Sequence, residues 1–320
     1  MSVGVLGAEP RRRLVPSGAR PRPAVSAAQA VSRGSRLWRQ RGLGTIFSKL
    51  YGLSALRTVE CTVEFRPGCV FRLPVFEPYW GPTIVGGRPY EPEVVRLLHD
   101  MSDLAPVFVD CGANFGYFSV LVTGPEFRYA GAIAIEANPT TVSRLRENAR
   151  LNGDRFQCLA FALAARSGET VQLAASEHHA VAHVREHEDE AKGLVDVETV
   201  CIDDAVERTG LGGHERYVLK LDVEGQEIAA LEGSRKLRAA KDHLVVYEDW
   251  ADAEFSTTTA LLDEGYPVFF VRTDGTCREL TSIAAARSVV AADGEISRAC
   301  NFAAVKRGGA FHTRLAGSTR

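Results

Sequence analysis

One stretch, residues 107–119, constrains the fold of this chain more than any other. Its first three residues are apolar and predict a buried strand, and residues 117–122 are apolar again and predict a helix. A short turn with two glycines lies between them. A strand that breaks into a glycine turn and restarts as a helix directs backbone N–H groups toward a ligand. The stretch therefore predicts an α/β fold with a ligand site at this turn.

The spacing of the turn residues indicates the kind of ligand. The pattern is D-x-G-x-N-x-G, formed by Asp110, Gly112, Asn114 and Gly116. A dinucleotide fingerprint is instead G-x-G-x-x-G. Gly112 permits the turn without a Cβ clash, and Gly116 permits close approach of a ligand or a helix. The Asp110 carboxylate would repel a pyrophosphate and suits a cationic or amine-bearing ligand. The pattern therefore favours S-adenosylmethionine over a dinucleotide, with an ordinary tight strand–helix turn as the further alternative.

The composition is that of an ordinary globular protein. Of its 320 residues, 45% are hydrophobic and 24% are charged. The net charge of −2 gives no reason to expect nucleic acid or an anionic membrane as the main partner. The seven cysteines are odd in number and form no C-x-x-C pair, which predicts free thiols in a reducing cytoplasm. No apolar run reaches the ~18 residues that span a bilayer, so we expect no membrane span.

The chain is predicted to have four segments. Residues 1–45 are rich in Arg, Ser, Ala and Pro with a single acid, which predicts a disordered basic tail. The same bias is typical of an organelle transit peptide, and an over-extended start site is a third alternative. Residues 46–103 are expected to form a β-hairpin and a helix packed on the core. Residues 104–307 form the main domain, and residues 308–320 a flexible C-terminal tail.

Strands and helices alternate through the main domain. This alternation predicts a mostly parallel sheet with helices on both faces. Ligands bind such sheets beyond the carboxyl ends of the strands. The predicted strands there end in Asp110, Glu136, Asp222 and the pair Glu248-Asp249. Glu136 follows the glycine turn by about 20 residues, a position that suits a ribose-binding acid. The alternative for Glu136 is a simple helix N-terminal acid.

Four motifs together resemble the FkbM-type methyltransferases. They are Asp-Cys-Gly-Ala-Asn-Phe-Gly-Tyr-Phe-Ser (110–119), Ile-Glu-Ala-Asn-Pro (135–139), Ala-Leu-Ala-Ala-Arg-Ser-Gly (162–168) and Leu-Lys-Leu-Asp-Val-Glu-Gly-Gln-Glu (219–227). The second motif departs mildly from the more frequent Phe-Glu-Pro but keeps the carboxylate. The resemblance implies an S-adenosylmethionine-dependent enzyme with a Rossmann-like methyltransferase fold over roughly residues 88–305.

The resemblance also implies a cofactor site. In such enzymes the aspartate and the glycine turn hold the methionine part, the glutamate after the second strand holds the ribose, and the third motif lies along the adenine. An upstream glutamate touches the methionine end. The corresponding residues of this chain are Glu91, Asp110, Gly112, Asn114, Gly116, Glu136, Ala137, Ala162 and Leu163.

The family resemblance predicts O-methylation of a hydroxyl on a sugar, glycan or secondary metabolite. The acceptor is then a small molecule or a glycan. A nucleotide-binding Rossmann oxidoreductase and a non-catalytic cofactor-binding partner subunit are the alternatives from other functional classes.

Catalysis is predicted at the end of the fourth core strand. Lys220 and Asp222 alternate there and point to one face, so Asp222 is the candidate general base or metal ligand, with Lys220 beside it. A structural ion pair or a helix cap is the alternative for Lys220 and Glu224. Magnesium-dependent O-methyltransferases of the catechol type have a similar placement of acids. Asp222, Glu248 and Asp249 are therefore candidate ligands of a Mg²⁺ ion.

A histidine-rich segment offers a second candidate site. His179, His183 and His187 have i, i+4 spacing within the charged segment 177–190. On a helix they would share one face and could bind a metal. A substrate lid and a solvated surface excursion are the alternatives.

Overall fold

The protein is described from a computed structural model, and the structural description applies to residues 13–14, 22–37, 43–87, 89–174, 194–249, 254–292 and 300–318. The chain divides into two compact units. Unit 1 comprises residues up to Glu91 together with Arg146–Asp154, and unit 2 comprises Pro92–Leu145 and Arg155–Arg320. The division falls at Glu91 rather than at residue 103, because the helix that follows Glu91 belongs to the larger unit.

The described residues form fourteen strands and twelve α-helices. Strands β1 to β14 are Arg13–Leu14, Glu60–Arg66, Cys69–Pro74, Val107–Cys111, Gly131–Glu136, Gln157–Ala160, Ala162–Leu163, Thr170–Ala174, Leu194–Val200, Arg216–Leu221, Asp242–Asp249, Val268–Val271, Cys277–Leu280 and Cys300–Val305. Helices α1 to α12 are Arg22–Leu37, Leu43–Tyr51, Ser54–Arg57, Pro92–Asp100, Tyr117–Val122, Pro139–Leu151, Ile202–Arg208, Glu227–Glu232, Arg235–Ala240, Ser256–Asp263, Ile283–Ala292 and Ala310–Ser318.

Unit 2 is built on an eight-stranded sheet with the order β13-β12-β14-β11-β10-β4-β5-β6. Five neighbouring strands of this sheet run parallel: β11, β10, β4, β5 and β6. Strand β14 lies antiparallel between β11 and β12. The chain builds outward from β4 through β5 to β6, then returns to place β10 on the other side of β4. This reversal is a topological switch point, where open α/β sheets bind ligands. The predicted mostly parallel sheet is thus confirmed.

The middle of this sheet is a dry apolar core. Every residue of β4 is buried, and both tyrosines of the adjoining strands, Tyr217 and Tyr247, are almost fully inaccessible. The Tyr247 ring stacks on Phe302 of β14 at a centroid distance of 5.7 Å. Strands covered on both faces need continuous apolar runs, which explains why β4, β10 and β11 lack polar–apolar alternation.

Strands β7, β9 and β8 form a second, three-stranded sheet within unit 2. β8 and β9 pair antiparallel, and β7 pairs parallel with β9. Residues 175–193 between β8 and β9 lie outside the described residues, so the histidine segment of residues 178–187 remains a prediction.

Unit 1 contains the predicted hairpin, formed by β2 and β3. It also contains helix α1, inside the segment that was expected to be disordered. Val25 and Ala28 of α1 are 1% and 0% exposed. An alanine-rich sequence favours the helix, and the i, i+3 spacing of these two side chains gives it one apolar face to bury.

The last segment also differs from the expectation, because residues 310–318 form helix α12 where a flexible tail was expected. Phe311 and Leu315 of this helix are buried. The Asp242 Oδ2 atom accepts a hydrogen bond of 2.8 Å from the Ala310 N–H at the helix start. This bond satisfies one of the N–H groups that a helix leaves unpaired at its N-terminus.

Candidate active site

Asp110 stands at the end of β4 and anchors the next helix. Its Oδ2 atom accepts hydrogen bonds from the Ser119 backbone N–H, at 3.1 Å, and from the Ser119 hydroxyl, at 2.7 Å. The carboxyl is 2% exposed. Burial raises the pKa of Asp110, and the nearby Lys220 ammonium opposes that rise. The side chain therefore fixes the geometry of the turn between β4 and α5.

Gly112 is required by a close approach of two chain segments. Its φ is +79°, and a Cβ atom added there would lie 1.8 Å from the carbonyl oxygen of Asp222. The Gly112 and Ala113 N–H groups donate to the Ile135 carbonyl, at 3.0 and 2.9 Å. The turn is thus locked to the ends of both neighbouring strands, β5 and β10.

Gly116 is required for helix packing. Its φ is +89°, and an added Cβ would lie 2.7 Å from Leu145 Cδ1 on α6 and 3.4 Å from the Phe156 ring. The sequence left open whether a ligand or a helix approaches this glycine. The structure places a helix side chain there.

Glu136 ends β5 beside the glycine turn, and its carboxylate is held by two backbone amides. The Asn114 N–H donates to Oε2 at 2.9 Å, and the Asn138 N–H donates to Oε1 at 2.8 Å. Asn114 adopts a left-handed backbone, with φ of 52°, as it makes this contact. Burial raises the pKa of Glu136, and these hydrogen bonds oppose the rise. The carboxylate is therefore fixed in position while the residue keeps partial exposure.

The residues predicted to lie along the adenine, Ala162 and Leu163, form strand β7. The Phe161 N–H donates to the Glu136 carbonyl at 3.1 Å, which brings the start of β7 next to the end of β5. Ala162 and Leu163 are 2% and 7% exposed, and Ala137 packs partly buried beside Ala162. This apolar strand lies at the same edge as Glu136, and its contact with an adenine stays a prediction.

Lys220 and Asp222 form an ion pair at the end of β10. Lys220 Nζ donates to Asp222 Oδ2 at 2.8 Å, and Nζ lies 4.9 Å from the centroid of the Phe118 ring. Lys220 also stands opposite Asp110 in the register of β10 and β4. The ammonium is nearly buried, whereas 27% of the Asp222 side chain is exposed. Asp222 is thus the member of the pair that solvent or a substrate can reach.

The three candidate magnesium ligands do not come together. Asp249 is 3% exposed, and its Oδ2 accepts the Thr258 N–H at 2.8 Å near the start of α10. Glu248 lies opposite Asn301 on β14. Over the described ranges, no group of three or more His, Cys, Asp or Glu side chains is arranged to hold a metal ion. The described residues therefore give no support for a cation shared by Asp222, Glu248 and Asp249, and that site stays a prediction.

Glu91 is the last residue of the first segment of unit 1 and has a φ of 39°. Its predicted contact with the methionine end stays a prediction. Sequence reasoning missed Ser119, Asn138 and Glu227 as supporting residues. Glu227 Oε1 accepts the Val223 N–H at 3.2 Å and so stabilises the loop after β10. All three lie within the quoted motifs, but spacing alone did not show which donors turn toward which acids.

The strand order and the switch point beside Asp110 define the fold class: unit 2 has a Rossmann-like fold of the kind that methyltransferases share. The family model described as the methyltransferase FkbM domain matches residues 110–263, so this part of the chain is similar to FkbM-type methyltransferase domains. The resemblance inferred from the four motifs is confirmed. A comparison with curated proteins finds no match.

Several solved structures are similar to this chain at low identity. The methyltransferase FkbM from Methylobacillus flagellatus is 15% identical over 65% of this chain and 47% of its own, with a TM-score of 0.40. The chain thus spans about half of that protein. TYW2 of M. jannaschii, in complex with AdoMet, is 14% identical over 77% and 85% of the two chains, with a TM-score of 0.40. An O-methyltransferase from Bacillus cereus, in complex with SAH, is 14% identical over 68% and 82%, with a TM-score of 0.33.

Proposed function

We propose that the protein transfers a methyl group from S-adenosylmethionine to a hydroxyl oxygen of a small molecule or a glycan. The observation that carries this proposal is the convergence of Asp110, Glu136 and Asp222 at the carboxyl ends of β4, β5 and β10, within a methyltransferase FkbM domain. These three strands are neighbours in the sheet, and the switch point lies between two of them.

The residues around Glu136 fit the ribose of the cofactor. A carboxylate offers about four acceptor positions. The two backbone amides of Asn114 and Asn138 use one position on each oxygen. The Ala137 amide also acts on this carboxylate. Acceptor capacity still remains for further donors, such as the hydroxyls of a ribose. Asp110, being nearly inaccessible, is proposed to support the methionine part through the turn that it anchors rather than by reaching into open solvent.

Asp222 is proposed as the general base. Bound S-adenosylmethionine supplies a methyl group already activated by its sulfonium. The chain must align the acceptor oxygen and take up its proton as the O–CH₃ bond forms and the CH₃–S bond breaks, which leaves S-adenosylhomocysteine. Asp222 is exposed enough to receive that proton, and Lys220 holds its Oδ2 in place. Lys220 is therefore a positioning residue, kept in place by the ring of Phe118.

The cofactor assignment is tested by calorimetry with S-adenosylmethionine, S-adenosylhomocysteine and NAD⁺. We expect the first two to bind and NAD⁺ not to bind. Glu136→Gln should weaken binding about tenfold or more, because it removes a charged acceptor. Glu207→Gln, an exposed change on α7, is the matched control and should leave the affinity unchanged. Binding of NAD⁺ in the absence of sulfonium binding would contradict the proposal.

The reaction is tested by following labelled methyl transfer to a panel of sugars, phenols and other alcohols. Asp222→Asn should lower kcat by about 10²–10⁴ while cofactor affinity stays within about twofold of wild type. Because the acids form no metal group, transfer should survive exhaustive chelation. A wild-type rate in Asp222→Asn would show that Asp222 is not the general base. Loss of activity on chelation, with rescue by Mg²⁺, would restore the magnesium hypothesis.

A further inference from the structure

Positive charge is concentrated at the start of the chain. Residues 1–58 contain eleven Arg and Lys residues and one acid, Glu9. Their net charge of +10 leaves −12 for residues 59–320, since the whole chain carries −2. The near-neutral total thus hides two regions of opposite sign. A basic block of this kind attracts anionic partners, and the attraction is weakened by salt.

Helix α2, within this basic block, exposes apolar side chains beside a lysine. Phe47 is fully buried, and its ring lies 5.9 Å from that of Phe76. Ile46, the preceding residue, is 43% exposed, and Lys49 is exposed on the following turn. Leu53, just after the helix, is 55% exposed. The helix is therefore anchored by one side while its outer side presents aliphatic and cationic groups to solvent.

Unit 1 holds most of the exposed large apolar side chains of the described residues. Six large apolar side chains are exposed among the described residues, and four of them lie in unit 1 although it is the smaller unit. Those four are Ile46, Leu53, Tyr79 and Leu151. Exposed aliphatic side chains gain nothing from a phosphodiester backbone, but they gain free energy in the interfacial layer of a bilayer. Cationic side chains beside them gain from anionic head groups.

We propose that unit 1 docks on the surface of an anionic lipid bilayer through the outer side of α2 and Leu53, and that the net positive charge of residues 1–58 strengthens the attraction. Docking is peripheral: in the part of the chain that the structure describes, no helix is both long enough and apolar enough to cross a membrane. The proposal is independent of the methyl-transfer reaction, because it uses no residue of the candidate active site.

The test is co-sedimentation of the full chain with phosphatidylcholine vesicles, with and without about 30% phosphatidylserine, at low ionic strength. Binding should require phosphatidylserine and should fall steeply as salt is raised. Changing Arg11, Arg12 and Arg13 together to Gln should lower the partition coefficient at least about tenfold, since each charge near such a surface contributes about fivefold.

The apolar contribution is tested by the double change Ile46→Glu and Leu53→Glu, which should lower the partition coefficient at least about tenfold. Both side chains are exposed, so the fold should be kept, as circular dichroism checks. Leu194→Glu, on an exposed leucine of unit 2, is the matched control and should change binding less than about twofold. An equal loss in the control would overturn the proposal. So would equal binding to neutral and anionic vesicles, or binding to an oligonucleotide with none to vesicles.

Discussion

Each carboxylate of the candidate active site is held by its own local donor. Asp110 is held by Ser119, Glu136 by the amides of Asn114 and Asn138, and Asp222 by Lys220. Burying a carboxylate without such donors costs several kcal/mol, so the donors are what allows acids at these strand ends. The sequence places the acids, because each ends an apolar run. It does not place the donors, because their orientation depends on how the turns close.

At the single-residue scale, Gly112 should be far less replaceable than another glycine of similar backbone. Gly112→Ala places a Cβ atom 1.8 Å from the Asp222 carbonyl oxygen, whereas Gly168, with φ of +86°, has nothing within 4 Å of such an atom. Both variants pay the left-handed backbone cost of about 1–2 kcal/mol. Gly112→Ala should lose about 1–3 kcal/mol more through the clash. Urea denaturation of both variants measures the difference, and equal losses would show that the turn relaxes freely.

His243 gives stability a dependence on pH. It is fully buried at the start of β11, with Nδ1 3.1 Å from the Lys241 carbonyl, and no described residue hydrogen-bonds its Nε2. The pKa of His243 is lowered from 6.5 to about 4, mainly by burial; the Lys241 contact opposes this fall, and the charges of Arg238 and Lys306 add to it. The unfolded chain therefore takes up the proton first as the pH falls. The stabilising contribution is present above about pH 6.5 and is lost on the way to about pH 4.

This contribution can be isolated with His243→Phe, which keeps a ring against Tyr266 but cannot titrate. Between pH 7 and pH 4 the wild-type protein should lose about 3 kcal/mol more unfolding free energy than the variant. Urea denaturation at several pH values gives both slopes. Parallel slopes would mean that the buried imidazole does not control the acid response.

At the scale of elements, the sequence predicts what periodicity and composition determine. The strands predicted to end in Asp110, Glu136, Asp222 and the pair Glu248-Asp249 all appear in the eight-stranded sheet, because buried parallel strands are continuous apolar runs. The prediction missed β13, whose burial pattern leaves two polar residues exposed between buried ends. It also missed α12. This helix has only two buried large apolar side chains, Phe311 and Leu315, and it directly follows two glycines, so its helical periodicity is weak.

Packing of α6 on the turn before α5 should be measurable as a coupling energy. Gly116→Ala brings a Cβ within 2.7 Å of Leu145 Cδ1 and should destabilise the protein. Leu145→Ala alone should cost about 2–5 kcal/mol through the cavity it leaves. In the Leu145→Ala background the Gly116→Ala change should cost at least about 1 kcal/mol less than in wild type, because the clashing atom is absent. If the two losses are additive, contact with Leu145 is not what requires glycine at position 116. The requirement would then come from its backbone conformation or from a ligand.

At the scale of the whole molecule, the sequence locates the methyltransferase domain but misjudges what surrounds it. The motifs fall on strands and turns that the topology brings to one edge of the sheet, so pattern and fold agree there. Charge and composition suggested that residues 1–45 add nothing to a core. That inference fails for α1, because a low average hydrophobicity does not exclude one apolar helix face that unit 1 can cover.

Two truncations measure the contribution of α1 to the stability of the fold. Removing residues 1–12 keeps β1 and α1 and should leave the thermal midpoint nearly unchanged. Removing residues 1–37 deletes α1, with its buried Val25 and Ala28, and also the strand that pairs with β2. The burial of valine alone is worth about 1.5–3 kcal/mol, so this truncation should lower the unfolding free energy by about 2 kcal/mol or more. In the full chain, Val25→Ala should account for about 1–3 kcal/mol of that loss. Thermal and urea unfolding followed by circular dichroism measure all four proteins. A 1–37 truncation as stable as wild type would show that α1 contributes no core.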